Sequence, residues 1–495
     1  MLLRNTLLYL PAQILAPLLQ FLAILLWAWW LTPRDMGVFT IVAATQELGY
    51  LLFLSWFSAY ALRFYDSRES GTGTSAYHAA ENIVMAAAVL FNGLLAFIIV
   101  TQVLDGPPDA PVTLAAGAFM AMRSVNTHLA ERARAAHHIG AYTILQVTGP
   151  ALGLLGGLVL QTLMPLDAGV ALGIYASAHA VAILLAIPFI GMRPAPPRLA
   201  GPALRRALTY GLPLLVAGGL SWIALNAVRY VAEGFEGAAA AGLIAVGLGL
   251  GLRGTTFAAM FVTAAAFPLA VKAWREEGRR AGMEQIARGG ALVIAALAPA
   301  VAGLCAITPD VSELLVAESY REITRAVLPW AILAGAARNL RSHFPDQIFL
   351  LAEKSRTVTL VDGLDALATV AGALAGYLSG GLEGAVAGAA TGAVLAAAAS
   401  FLLAARTPHF TFPWSDAARA LAASAIMYAA LMLFGQAEST VMLVLRILFG
   451  ALVYGAVLAA LYPAEALSAA LALRPGRSWR DLLRRRTPGT GDKTG

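Results

Sequence analysis

The chain has 495 residues, 59% of them hydrophobic and only 13% charged, and its mean hydropathy is +0.73. Soluble chains carry roughly 25% charged residues, so a string of soluble domains is excluded and a polytopic membrane protein is indicated. Formal net charge is +6, and the single cysteine, Cys305, excludes an internal disulfide or a cysteine-built metal cluster.

Crossing the hydrocarbon of a bilayer takes about 20 apolar residues. The first such run, 9–30, lies in MLLRNTLLYLPAQILAPLLQFLAILLWAWW. Its apolar part is too long for a signal peptide, and no small-residue cleavage site follows. Trp27, Trp29 and Trp30 are expected where this helix meets the head-group layer. Further runs lie at 38–60, 79–103, 112–130, 138–161, 170–190, 208–230, 237–259, 285–306, 320–341, 357–378, 382–404, 416–436 and 441–461, which makes fourteen. Runs 112–130 and 320–341 contain arginine, and 357–378 contains aspartate.

The connections alternate in charge. One set is basic: 63–70, 131–138, the segment with Arg193, Arg198, Arg205 and Arg206, then 272–280, Arg341 with Lys354 and Arg356, and Arg406 with Arg419. The tail 474–493 belongs to this set, either as a retention signal or as a contact with anionic head groups. The alternate connections at 105–111, 164–167, 308–319 and 435–440 are short and neutral or acidic. The positive-inside rule then predicts a multi-pass inner-membrane protein with both termini cytoplasmic.

A repeat of about 200 residues runs through the chain. YLPAQILAP at 9–17 answers TYGLPLLVAGG at 209–219, and LTPRDMGVFTIVAA at 31–44 answers EGFEGAAAAGLIAVG at 233–247. An even number of spans separates the halves, so they share one orientation. The expected fold is an all-α polytopic membrane protein: two six-helix lobes around a central cavity, plus a C-terminal helix pair. Residues 1–200 form the first lobe, 201–405 the second, 406–473 the peripheral pair, and 474–495 a basic cytoplasmic tail. The run GLIAVGLGLGLRG at 242–254 is either a gating helix or a close-packed face.

Several charges fall inside the spans. A lipid-facing arginine near the midplane costs a few kcal/mol, so Arg123, Arg229, Arg253, Arg338 and Arg446 should face a polar interior. The acids available to them are Glu47, Glu81, Asp362 and Asp365. Arg338 and Arg446 are read either as local ion-pair partners or as cavity groups. Arg123 and Arg253, in opposite halves, are assigned to a cavity for anionic cargo, since guanidinium forks match phosphate oxygens. Asn126, three residues past Arg123, Asn226 and Asn339 are expected to add neutral hydrogen bonds. Arg63 and Arg68, with Arg4 and Asn5, form either a cytoplasmic access patch for a phosphate group or ordinary positive-inside charge. Glu47 and Asp365 are either ion-coupling carboxyls or salt-bridge partners. No GxxxxGK[ST] loop, HExxH or Cys/His metal spacing occurs. No catalytic or metal-binding residue is assigned, no cofactor is expected, and coupling to protons, sodium or the membrane potential stays open.

The stretches NTLLYLPAQILAP at 5–17, LTPRDMGVFTIVAA at 31–44, ALRF at 61–64, YGLPLL at 210–215 and GGLEGAVAGAAT at 380–391 carry a family resemblance. The chain resembles the polysaccharide-transporter branch, the lipid-linked oligosaccharide and O-antigen flippases, of the multidrug, oligosaccharidyl-lipid and polysaccharide exporter superfamily. The resemblance implies a non-enzymatic flippase working by alternating access. It implies as cargo an undecaprenyl-pyrophosphate-linked oligosaccharide moved from the cytoplasmic to the periplasmic leaflet. It also implies membrane lipids, a polysaccharide polymerase and glycosyltransferases as partners, and no nucleic acid. A drug exporter of the same architecture and an integral enzyme acting on polyprenyl-linked glycans stand as alternatives.

Overall fold

The computed structural model describes residues 2–65, 74–104 and 109–463, the side chains of 2–14, Thr74 and 261–265 excepted. The basic tail, Arg68 and the side chains of Arg4 and Asn5 lie outside the described residues. The described chain is helical, and the fourteen expected spans are all present. In order they are Leu2–Trp30, Pro33–Phe64, Ser75–Val103, Ala110–Ala135, Ile139–Leu160, Ala168–Ile190, Gly201–Glu236, Ala238–Glu276, Arg279–Ala306, Glu318–His343, two passes within Ser355–Ala405, then Trp414–Leu433 and Thr440–Leu461. They are called spans one to fourteen below.

Local chemistry explains the breaks. Span two opens on Thr32, whose hydroxyl caps the Asp35 amide, with Pro33 in the first turn. Spans eleven and twelve turn at Gly380 and Gly381, the latter at φ 59°, where a side chain would be strained. Beyond that turn, Gly372 meets Gly388 and Gly376 meets Gly384, backbone against backbone. This is the small-residue approach that lipid-embedded helices use in place of hydrophobic drive.

Spans one to six pack among themselves, as do seven to twelve; the two sets meet where span two packs on seven and eight, span one on eight and span three on seven. Span thirteen leans on span nine, and span fourteen on span thirteen. Arg446 of span fourteen is fully buried and bonds Asp310, whose other oxygen accepts from the Ala437 amide. Of the two readings of Arg446, the local ion pair holds.

The two ends of the molecule differ. At the end with the short neutral connections, both lobes share one apolar core, running from Trp27, Met36 and Phe119 to Ala241, Val316 and Tyr320. There Gly37 sits on the Ala238 carbonyl and Gly242 on that of Pro33, so close that neither position admits a Cβ. Tyr320 donates to the Leu31 carbonyl at 2.9 Å, and Trp29 donates to that of Leu315 at 2.9 Å. At the basic end two cores are separate: one around Phe57 and Leu129, which also takes in Ala203 and Ala207 at the start of span seven, and the other around Phe344 and Phe349. The shared core at the neutral end joins the lobes broadly, whereas at the basic end they meet through the start of span seven.

One expectation needs correction, and one open pair of readings is decided. Trp27 is 1% exposed and donates to the Tyr175 hydroxyl, so it belongs to the shared core; of the three tryptophans, Trp29 stays exposed. The glycine run of span eight is a close-packed face: Gly247 and Gly251 lie on span ten, and Gly249 lies on Ile24 of span one.

The seal makes a prediction. Gly242→Val forces its side chain into the Pro33 backbone, and overpacking of this kind costs ~1–3 kcal/mol, enough to shift the closed population about tenfold. A cysteine at Ala238, 2% exposed here, should then react faster with a water-soluble maleimide. An unchanged rate would show that this contact does not hold the end shut.

Candidate anion site between the lobes

Glu47 lies midway along span two, just before a π-helical turn at Leu51–Ser55 that resets the helix register. Such turns often mark functional positions within helices. The Glu47 side chain is 52% exposed although it sits at mid-membrane depth, and that of Arg123, on span four, is 30% exposed. The two pair at 3.6 Å. Arg123 also lies over the Phe119 ring, 5.6 Å from its centre. Charges kept this accessible at this depth require a polar, water-reachable space.

The opposite lobe supplies two more guanidiniums. Arg253 of span eight is exposed, and its Nη1 donates to Gln20 Oε1 of span one at 2.8 Å. Arg229 of span seven donates to Asn226 Oδ1 at 2.6 Å. Arg253 is within electrostatic reach of Arg123, Arg229 and Glu47, and the Tyr175 hydroxyl of span six feels both Arg123 and Arg253. Cations from opposed lobes therefore lie within electrostatic reach of one another. Three guanidiniums face Glu47, with Glu233 a turn further along beside Tyr230, so positive charge is in excess. Guanidinium forks held by neutral or shared partners keep N–H donors for a phosphate.

The seam flanking this space is closed along spans two and seven. Trp222 donates to the Ala44 carbonyl at 2.9 Å, Thr45 and Tyr230 share a hydrogen bond of 2.8 Å, and Gly211 rests on Trp56.

Other expected site residues lie elsewhere. Asn126 is 5% exposed and donates to the Leu145 carbonyl of span five, so it ties two helices together and does not face the gap. Arg338 is engaged by Asp365, both nitrogens at 3.1 Å, and by Thr369 at 2.8 Å. Local pairing holds for Arg338, and Asp365, 2% exposed, is its partner. Asp365 is thereby withdrawn from water, which leaves Glu47 as the accessible carboxyl. Asn226 reaches the site through Arg229, and Asn339 bonds Thr256 and the Gly335 carbonyl. Arg63 is exposed at the basic end, far along span two from Glu47. His128 is buried against Ser58, at 2.8 Å, and Glu81, at 3.2 Å, with Arg132 on the other Glu81 oxygen.

Gln20 is the residue that sequence reasoning missed, and Arg229 was expected to face a polar interior without being assigned to the cargo site. The signal for Arg229 was its three-residue spacing from Asn226. Gln20 carried no signal, because its partner lies 233 positions away.

No protein-family model matches the chain, and no curated protein sequence matches it. Solved structures do. The fold is similar to that of a lipid II flippase, MurJ, in an inward closed conformation, with TM-score 0.72 over 93% of this chain and 100% of that one, at 11% identity. It is similar to an inward-facing multidrug resistance MATE family transporter of the MOP superfamily, with TM-score 0.58 over 79% of this chain and 94% of that one, at 16% identity. The D35N mutant of the Vibrio cholerae MATE transporter VcmN matches with TM-score 0.50 over 81% of this chain and 97% of that one, also at 16% identity. The chain thus shares the fold of these solved structures, and it is a multi-pass membrane protein.

Proposed function

We propose that this protein is a flippase that carries a polyprenyl-pyrophosphate-linked oligosaccharide across the bacterial inner membrane, from the cytoplasmic to the periplasmic leaflet, by alternating access. Both termini are cytoplasmic in this reading, so the sealed end faces the periplasm. The observation that supports this reading is that Arg123 and Arg253, cations of opposed lobes, lie within electrostatic reach of one another and of the half-exposed Glu47. A pyrophosphate offers two adjacent charged groups to such a pair.

The physical task fits this arrangement. Each unpaired polar group of a sugar costs several kcal/mol in hydrocarbon, whereas the polyprenyl tail can remain in lipid. The protein supplies a wet, positive path for the head group, and no covalent bond changes. Rocking of two lobes moves the opening from one face to the other. Glu47, paired with Arg123 and open to water, is the carboxyl placed to couple an ion or to release Arg123 when cargo arrives. The guanidinium excess favours anionic cargo over the cationic drugs that an acid-lined pocket would take. Polymerase and glycosyltransferase partners belong to the same reading, as the enzymes that make and use such a cargo.

The experiment is reconstitution of purified protein into vesicles with a fluorescent polyprenyl-pyrophosphate oligosaccharide. Head groups that become accessible to an external lectin or reductant faster than in empty vesicles are the expected result. Equal rates, or exposure of a cationic dye in their place, would sink the assignment.

A further inference from the structure

A cavity with an aromatic wall and a basic rim lies away from the central site, at the basic end. The last turns of span two and the first turns of span seven enclose about 960 Å³. Tyr60 and Phe64 form one wall; Arg205, Arg206, Thr209 and Tyr210 form the other. Arg63 stands beside it, its guanidinium 5.3 Å from the centre of the Tyr210 ring and 5.5 Å from that of Phe64.

We propose that this cavity binds the phosphate group of a membrane lipid. The binding does not depend on what the central site carries.

Three observations converge on an anion. Arg205 and Arg206 are both exposed, and among the described residues neither they nor Arg63 form an ion pair with a carboxylate. The Tyr60 hydroxyl is buried, at 2% exposure, and has no hydrogen-bond partner. Leaving a buried hydroxyl this way is unfavourable, and an acceptor in the cavity relieves it. The cavity also takes in Gly201 and Pro202, the opening turn of a 36-residue helix. Pro202 brings no N–H, but the positive end of the helix dipole favours negative charge there.

A further observation points to a lipid in preference to a free anion. Leu208, Leu212 and Val216 are exposed and follow Arg205 at helical spacing. They carry an apolar track out of the cavity along span seven, where an acyl or prenyl chain lies next to its own head group. Arg205 and Arg206 begin the segment next to the bilayer surface, where a lipid phosphate sits at the height of a snorkelling arginine.

The test uses the delipidated full-length protein in detergent, titrated with phosphatidylglycerol, with a polyprenyl monophosphate and with inorganic pyrophosphate, and read by native mass spectrometry. Wild type should bind both lipids more tightly than inorganic pyrophosphate. The double variant Arg205→Gln/Arg206→Gln should lose at least about tenfold in lipid affinity, as expected for removing charge-assisted hydrogen bonds. Tyr60→Phe, which removes one hydroxyl and keeps every charge, should lose about fivefold. The double variant Arg123→Gln/Arg253→Gln should keep this binding, so failure here and failure of the flippase reading are separable. Unchanged lipid binding in both cavity variants would overturn the proposal. Inorganic pyrophosphate binding as tightly as the lipids would overturn it too, by removing the lipid from the site.

Discussion

Reversing the charge at Arg123 or Arg253 to glutamate lowers lipid translocation by about 100-fold while leaving the protein folded and inserted. Two unit charges ~6 Å apart at an effective dielectric of ~20 interact by about 3 kcal/mol, which is about two decades in an equilibrium or a rate. A carboxylate at either position repels the phosphate that the arginine attracts, and it joins Glu47 in a space that then holds too few cations. Folding is spared because both positions are accessible and lightly tied. Arg253 donates to one neutral partner, Gln20, and Arg123 pairs with a half-exposed Glu47. Exposed pairs contribute ~0–1 kcal/mol. Lysine should be intermediate, with the charge kept and the fork lost, for a deficit of about tenfold. The check is the vesicle assay with matched protein amounts, together with thermal unfolding of each variant. Full transport by both glutamate variants would remove these residues from the mechanism.

Arg341→Leu is expected to destabilise the second lobe by ~3–5 kcal/mol, the cost of leaving buried charge without its partner. Arg341 lies at the basic end of span ten with 8% of its side chain exposed. It holds three carboxylates at once: Asp362 at 2.5 Å, Asp346 at 3.2 Å and Asp365 at 3.4 Å. Asp365 keeps Arg338 when Arg341 is lost, and Asp346 keeps the Ser400 hydroxyl at 2.6 Å. Among the described residues Asp362 has no second cation, and so it carries most of the penalty. The double variant Arg341→Leu/Asp362→Asn should therefore recover part of the loss. Thermal unfolding in detergent measures both, and a midpoint for Arg341→Leu equal to wild type would show that water reaches this network. The position lies far from the shared anion space, so whatever folded protein remains should still translocate lipid.

The helical plan was readable because span length is a property of the bilayer, which every segment must meet separately. Runs carrying arginine, such as 320–341, still showed as spans because their neighbours on both sides fixed the alternation. The turn at Gly380 and Gly381 was marked by its own residues. What the sequence could not give was the direction a side chain takes around its helix. Asn126 follows Arg123 by three residues, which places them on neighbouring faces, yet the Leu145 carbonyl of span five claims Asn126 and the gap keeps Arg123. Depth alone also failed to separate Arg338 from Arg253. The first meets Asp365 on the next span, whereas among the described residues the second donates to the Gln20 amide oxygen. Trp27 misled for the same reason: an amphipathic ring at a helix end suits the head-group layer, but here a tyrosine hydroxyl from span six gives its N–H a partner inside the core.

The central claim is tested most directly by asking whether water and cargo reach that shared space. Cys305 is the one native cysteine, so Cys305→Ser provides a background in which Glu47→Cys and Thr256→Cys, both at exposed positions on opposed lobes, are probed singly with a charged, water-soluble thiol reagent. Both should modify readily from the basic end, and added polyprenyl-pyrophosphate should slow both. Two inert thiols, or modification that the lipid leaves unaltered, would contradict a common anion-binding space between the lobes.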